Sequence, residues 1–116
     1  MFKFLRLNIA NLKQMNTNPN IAMQQVIVSL TSFPAAIPYA AQAVQSILNG
    51  SVLPDKVVLY LTFSQFGEGG LPKDLLKLAD ESPLFEIRDY PIDIRSYRKL
   101  IPAIHDFPDA IIVTID

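Results

Sequence analysis

The chain has 116 residues, half of them hydrophobic, with 10 basic against 11 acidic side chains and no cysteine. That is the length of one domain, with apolar material for one modest core. The composition argues against intrinsic disorder, and the near-zero net charge against a nucleic-acid binder relying on bulk charge. It also excludes disulfides and thiolate metal sites, which fits a reducing, cytoplasmic setting.

The chain opens Met1-Phe2-Lys3-Phe4-Leu5-Arg6-Leu7-Asn8-Ile9. Lys3, Arg6 and Asn8 interrupt the apolar stretch, so it makes a poor signal peptide. It reads as an arm packing on the domain or on a neighbour, or as a short amphipathic helix at a membrane surface. No run of eighteen apolar residues occurs, so no membrane span is expected. Asn16-Thr17-Asn18-Pro19-Asn20 is turn chemistry and marks a linker. Residues 1–24 are therefore expected to be arm and linker, and residues 25–116 the folded domain.

Within that domain, strand and helix patterns alternate. Val26-Ile27-Val28-Ser29-Leu30-Thr31 is a β-branched apolar run with the look of a buried strand. Pro38 suits the first turn of a helix carrying Tyr39, Ala40, Ala43, Val44, Ile47 and Leu48 at helical spacing. Asn49-Gly50 closes that helix, with Gly50 expected in a left-handed cap. Val57-Val58-Leu59-Tyr60-Leu61 is a second buried strand, followed by a glycine-rich loop at Gly67, Gly69 and Gly70. Pro72 opens a helix with Leu75, Leu76, Leu78 and Ala79. Phe85-Glu86-Ile87-Arg88 is a short third strand with alternating faces. Helical spacing resumes at residues 96–105, where Pro102 is expected to kink or divide the helix. Ala110-Ile111-Ile112-Val113-Thr114-Ile115 is the fourth strand, and its hydrophobicity places it inside the sheet.

This order predicts an α/β fold: a Rossmann-like, mostly parallel sheet with helices on both faces. Ligands of such sheets bind outside the carboxyl ends of the strands. The rule directs attention to residues 31–36, 62–70, 89–99 and 116. A sequence ending at Asp116, at the tip of an inner strand, reads as a C-terminally incomplete domain; the alternative is a compact four-strand domain. An uncovered fourth strand would leave an apolar face or edge open, and oligomerisation would follow.

Three constellations could carry chemistry. The hydroxyls of Thr31 and Ser32, followed by Pro34, could hold a base or ribose, or simply cap a turn. Asp93-Ile94-Arg95-Ser96-Tyr97-Arg98-Lys99 sets three cations and a carboxylate before a helix, which suits a diphosphate; it could equally be a solvated charged face. Asp116, at a strand tip, could help hold Mg²⁺ or Mn²⁺ together with further carboxylates, water and substrate phosphates. His105, the only histidine, has no nucleophile pattern around it and reads as structural. There is no G-x-S-x-G, Walker loop or G-x-G-x-x-G.

Taken in order, four segments resemble a family of bacterial glycosyltransferases of the GT-A type. They are Val28-Ser29-Leu30-Thr31-Ser32-Phe33-Pro34-Ala35, Ser46-Ile47-Leu48-Asn49-Gly50-Ser51 through Leu53-Pro54-Asp55-Lys56-Val57-Val58-Leu59-Tyr60-Leu61, Asp93-Ile94-Arg95-Ser96-Tyr97-Arg98-Lys99-Leu100-Ile101-Pro102-Ala103, and Ile111-Ile112-Val113-Thr114-Ile115-Asp116. The resemblance covers residues 26–116 and implies the nucleotide-sugar-binding half of a transferase for polysaccharide or lipopolysaccharide assembly. It implies a UDP-sugar donor and a saccharide acceptor. Thr31, Ser32 and Pro34 would line the nucleoside, and Asp93 would contact base or ribose. Arg98 or Lys99 would approach the diphosphate, and Asp116 would open the DxD-type metal motif. The chain departs from the family pattern at Ala36, where an arginine is usual. With the rest of the metal motif and the acceptor site expected beyond Asp116, these 116 residues alone are expected to be inactive. The alternatives are a non-catalytic remnant or interaction domain of the same fold, and a receiver-like signalling domain. The last lacks the acidic pair that its first strand would need.

Overall fold

The computed structural model describes residues 3–6, 24–91 and 100–115. Asp93, Arg98, Lys99, Asp116 and the Asn-rich linker lie outside them.

The elements follow in the order β1 (Lys3–Arg6), β2 (Val26–Thr31), α1 (Ile37–Leu48), β3 (Lys56–Leu61), α2 (Lys73–Glu81), β4 (Phe85–Asp89), α3 (Ile101–Asp106) and β5 (Ile111–Thr114). Short 3₁₀ turns at Pro34–Ala36 and Phe63–Phe66 follow β2 and β3. The strands form one sheet in the order β1-β5-β2-β3-β4, and every pair is parallel. The four strands expected from sequence are present. Lys3–Arg6 adds a fifth at the outer edge, beside β5.

A parallel sheet needs cover on both faces, and its inner strands are accordingly mostly apolar. On one face Val28, Leu30, Val57, Leu59, Leu61, Ile111 and Val113 meet Ile37, Ala40, Val44 and Ile47 of α1 and Leu75 of α2. On the other, Ile27, Val58, Tyr60 and Ile112 meet Ala103 of α3 and Ala110. The α/β architecture with helices on both faces is thus present. The chain moves from β2 outward to β3 and β4 with its helices on the first face. It then crosses back to β5 with α3 on the second. Reversing direction and face together keeps these crossovers of one hand, as parallel sheets demand.

Two local expectations are corrected. Gly50 is not in the left-handed region; the positive-φ glycines among the described residues are Gly67 (φ 65) and Gly70 (φ 67). The end of α1 is closed by Asn49, whose N–H bonds the Gln45 carbonyl. Gly50 is tight for another reason: a Cβ there would lie 3.3 Å from the Ile47 carbonyl oxygen. Pro102 sits in the first turn of α3, where a missing N–H costs nothing; residues 96–99 of the expected helical stretch lie outside the described residues. The open edge expected at the fourth strand is also absent. β5 is hydrogen-bonded on both sides, and Ile111, Ile112 and Val113 are fully buried. No helix among the described residues is long and apolar enough to cross a membrane.

Candidate functional site

The strand order fixes where a ligand site belongs. The chain leaves β2 toward β3 and later returns to β5 on the opposite side of β2, so the crevice between β2 and β5 is the topological switch point. Thr31, Ser32 and Pro34 stand at the carboxyl end of β2, on the rim of that crevice. Their predicted neighbour Asp116 lies outside the described residues; the last residue of β5, Thr114, pairs with Ser29 of β2.

The rim is laced together by its own side chains. The Thr31 hydroxyl donates to the Tyr60 carbonyl at 2.9 Å, tying β2 to β3. One strand further, the Thr62 hydroxyl donates to the Tyr90 carbonyl at 2.9 Å. The Phe63 N–H donates to Asp89 Oδ1 at 2.9 Å, which ties the loop after β3 to the end of β4. Ser32 is buried, and its hydroxyl reaches the Phe33 carbonyl at 3.4 Å. These hydroxyls therefore shape the rim first. The surface offered outward is Pro34, in its 3₁₀ turn, and Phe33, whose exposure of 52% makes it an available flat apolar face. Sequence reasoning passed over Phe33, although an aromatic directly after a strand's carboxyl end could have signalled it.

Beneath the switch point lies a polar anomaly. Ser29 and Thr114 are partners in register on neighbouring strands, and they are 0% and 1% exposed. Neither hydroxyl has a hydrogen-bond partner among the described residues. Buried polar groups are normally satisfied, so two adjacent exceptions at a switch point stand out.

A second polar cluster occupies the face covered by α3. Asp106 Oδ2 accepts hydrogen bonds from the Tyr60 hydroxyl at 2.9 Å and from Arg88 Nη1 at 2.8 Å. The remaining edge of the Arg88 guanidinium closes on Glu86, with Nε and Nη2 at 3.0 and 2.9 Å from its two oxygens. Lys56 Nζ joins Glu86 at 2.8 Å. Phe107 receives the Arg88 guanidinium on its ring at 4.9 Å from the centroid, with Lys56 at 5.9 Å. The cluster borders a cleft of about 360 Å³ at the carboxyl ends of β3 and β4, where Asp89, Tyr90 and Pro102 form further walls. His105 sits at its mouth, with Nδ1 3.3 Å from Asp106 Oδ1 and a side chain 88% exposed.

Each shift of acidity in the cluster has a local cause. Burial pulls the Asp106 carboxyl upward, but hydrogen bonds from Tyr60, Arg88 and His105 outweigh it and hold the group below the usual carboxylate range. Glu86 is held low in the same way, with Arg88 and Lys56 overcoming burial. Burial, then the hydrogen bond to Asp106, pushes the Tyr60 phenol well above its ordinary value. The bond to Glu86 raises Arg88 further still. The sequence carried half of this signal: Glu86 and Arg88 alternate on one face of β4, opposite Val58 and Tyr60. The contribution of Asp106 is tertiary.

Among the described residues, no group of three His, Asp or Glu side chains comes together as a metal site. Fold and rim define a Rossmann-like α/β protein whose topological switch point lies between β2 and β5. No family model, curated protein or solved structure matches the chain.

Proposed function

We propose that this domain binds the nucleotide diphosphate of a sugar donor, as the front half of a GT-A-type glycosyltransferase acting on a saccharide acceptor. The observation that carries the reading is the switch point. It sets Thr31, Ser32, Phe33 and Pro34 on the rim where β2 and β5 diverge, the place such sheets use for ligands. The four-segment resemblance supports the same reading.

In this reading Phe33 and Pro34 supply a flat apolar edge against the nucleoside, and the laced hydroxyls keep that edge rigid. Asp93 contacts base or ribose. Arg98 or Lys99 meets the diphosphate, and Asp116 contributes a carboxylate toward Mn²⁺ or Mg²⁺. A divalent cation would supply stabilisation for the negative charge that grows on a departing diphosphate. UDP is the nucleotide the resemblance favours.

The test is an amide-resolved NMR titration of the chain with UDP, with and without Mg²⁺, followed by calorimetry with Mn²⁺. We expect saturable shifts at Ser32, Phe33 and Thr114 and tighter binding with the metal. The absence of any saturable shift at millimolar UDP would remove the nucleotide reading and favour a non-catalytic domain of this fold.

A further inference from the structure

Helix α3 buries little apolar surface of its own: within its six residues the buried ones are Pro102 and Ala103. Small side chains of this kind cannot hold a one-and-a-half-turn helix against a sheet by burial alone. What fastens its end is Asp106. That carboxylate reaches across to two different strands, accepting from Tyr60 of β3 and Arg88 of β4 through one oxygen. Arg88 is itself held from behind by the two bonds to Glu86, which Lys56 steadies in turn. The Phe107 ring under Arg88 fixes the guanidinium plane just beyond the helix.

We propose that Asp106 is a positioning residue: through Arg88 and Tyr60 it forms an acid-sensitive clasp that docks α3 on the sheet. α3 directly follows the segment carrying Asp93, Arg98 and Lys99 in sequence, so the clasp sets one end of that segment. The other end is set by Tyr90, whose N–H bonds the Leu61 carbonyl at 2.7 Å and whose carbonyl accepts from Thr62.

The charged and titratable groups around Asp106 come from every neighbouring element. Lys56 and Tyr60 belong to β3; Glu86, Arg88 and the cleft-lining Asp89 to β4; His105 to α3 itself. Asp109 lines a neighbouring cleft together with Asp106. Of these groups, Tyr60, Arg88 and His105 lie within hydrogen-bonding reach of Asp106. Protonating Asp106 leaves Arg88 ion-paired with Glu86 alone: the Tyr60 bond becomes a neutral one, and the Arg88 bond loses its anionic acceptor.

Hydrogen exchange tests this directly. The amides of Ile104 and Phe107 donate to the Leu100 and Ala103 carbonyls and report on α3, while amides of Val58 and Leu59 report on the sheet. In Asp106→Asn we expect protection at Ile104 and Phe107 to fall at least about tenfold with the sheet amides unchanged. In the parent chain, the same local loss should develop as pH falls through the acidic range, and it should be absent from the pH profile of Asp106→Asn. Tyr60→Phe keeps the ion pair and should loosen α3 by a smaller factor, which serves if Asp106→Asn does not fold. Unchanged α3 protection in both variants would overturn the clasp, as would equal loss in α3 and sheet. A second arm rests on the nucleotide reading: Asp106→Asn should bind UDP several-fold more weakly. If the parent chain takes no UDP, that reading fails, while the exchange data still decide the clasp.

Discussion

At the residue scale, Ser29 and Thr114 pose the sharpest question. Among the described residues their hydroxyls are buried without partners, so removing them takes away desolvation cost and no bond to these residues. Ser29→Ala and Thr114→Val should therefore change stability by less than about 1 kcal/mol, or raise it, in urea unfolding. A loss above about 2 kcal/mol in either would mean that the hydroxyl holds a bound water or ligand group in solution. The ionisable residues give a second test. Glu86 and Asp106 are held below the usual carboxylate range. They therefore bind fewer protons folded than unfolded, and their stabilisation, present at neutral pH, is lost as pH falls through the acidic range. Tyr60 is raised, so its contribution is complete below the ordinary phenol value of 10.0 and is lost as pH rises beyond it. Melting temperature against pH should fall on both flanks, and Tyr60→Phe should flatten the alkaline one.

At the element scale, what was legible in the sequence and what was not divide along physical lines. β2, β3 and β5 were readable because burial on both faces demands nearly continuous apolar runs rich in β-branched residues, a signal carried by each strand alone. α1 was readable from the helical spacing that includes Ala40, Val44 and Ile47, three of the residues it buries, although its first residue, Ile37, was not foreseen. β1 was not, because four residues hold no period and acquire strand geometry only by pairing with β5. Thr31, Ser32 and Pro34 were placed at a rim by the strand-end rule, whereas the bonds that occupy the hydroxyls depend on which strand lies alongside. Glycines separate backbone need from space. Gly67 and Gly70 have positive φ, yet a Cβ on either would meet nothing within 4 Å. Gly67→Ala and Gly70→Ala should thus each cost about 1 kcal/mol from backbone strain alone, while Gly69→Ala in the same loop should be neutral or slightly stabilising. Within α1, Ile47→Ala should cost about 2–5 kcal/mol, because the residue is 1% exposed in the main core. Chemical denaturation of the four variants checks both statements.

At the scale of the whole molecule, the sheet joins pieces of very different chain separation. β2 lies next to β3 and β3 next to β4, each pair linked by a single α-helix. β1 and β5 are neighbours in space but lie over a hundred residues apart along the chain. β2 and β5 are also distant, yet their shared crevice is the candidate ligand site. On a ribosome, then, the β2-β3-β4 layer can assemble while β1 waits without a partner, and the crevice between β2 and β5 comes into being only once β5 has been made. Of the five strands, the one made earliest thus waits longest for its neighbour.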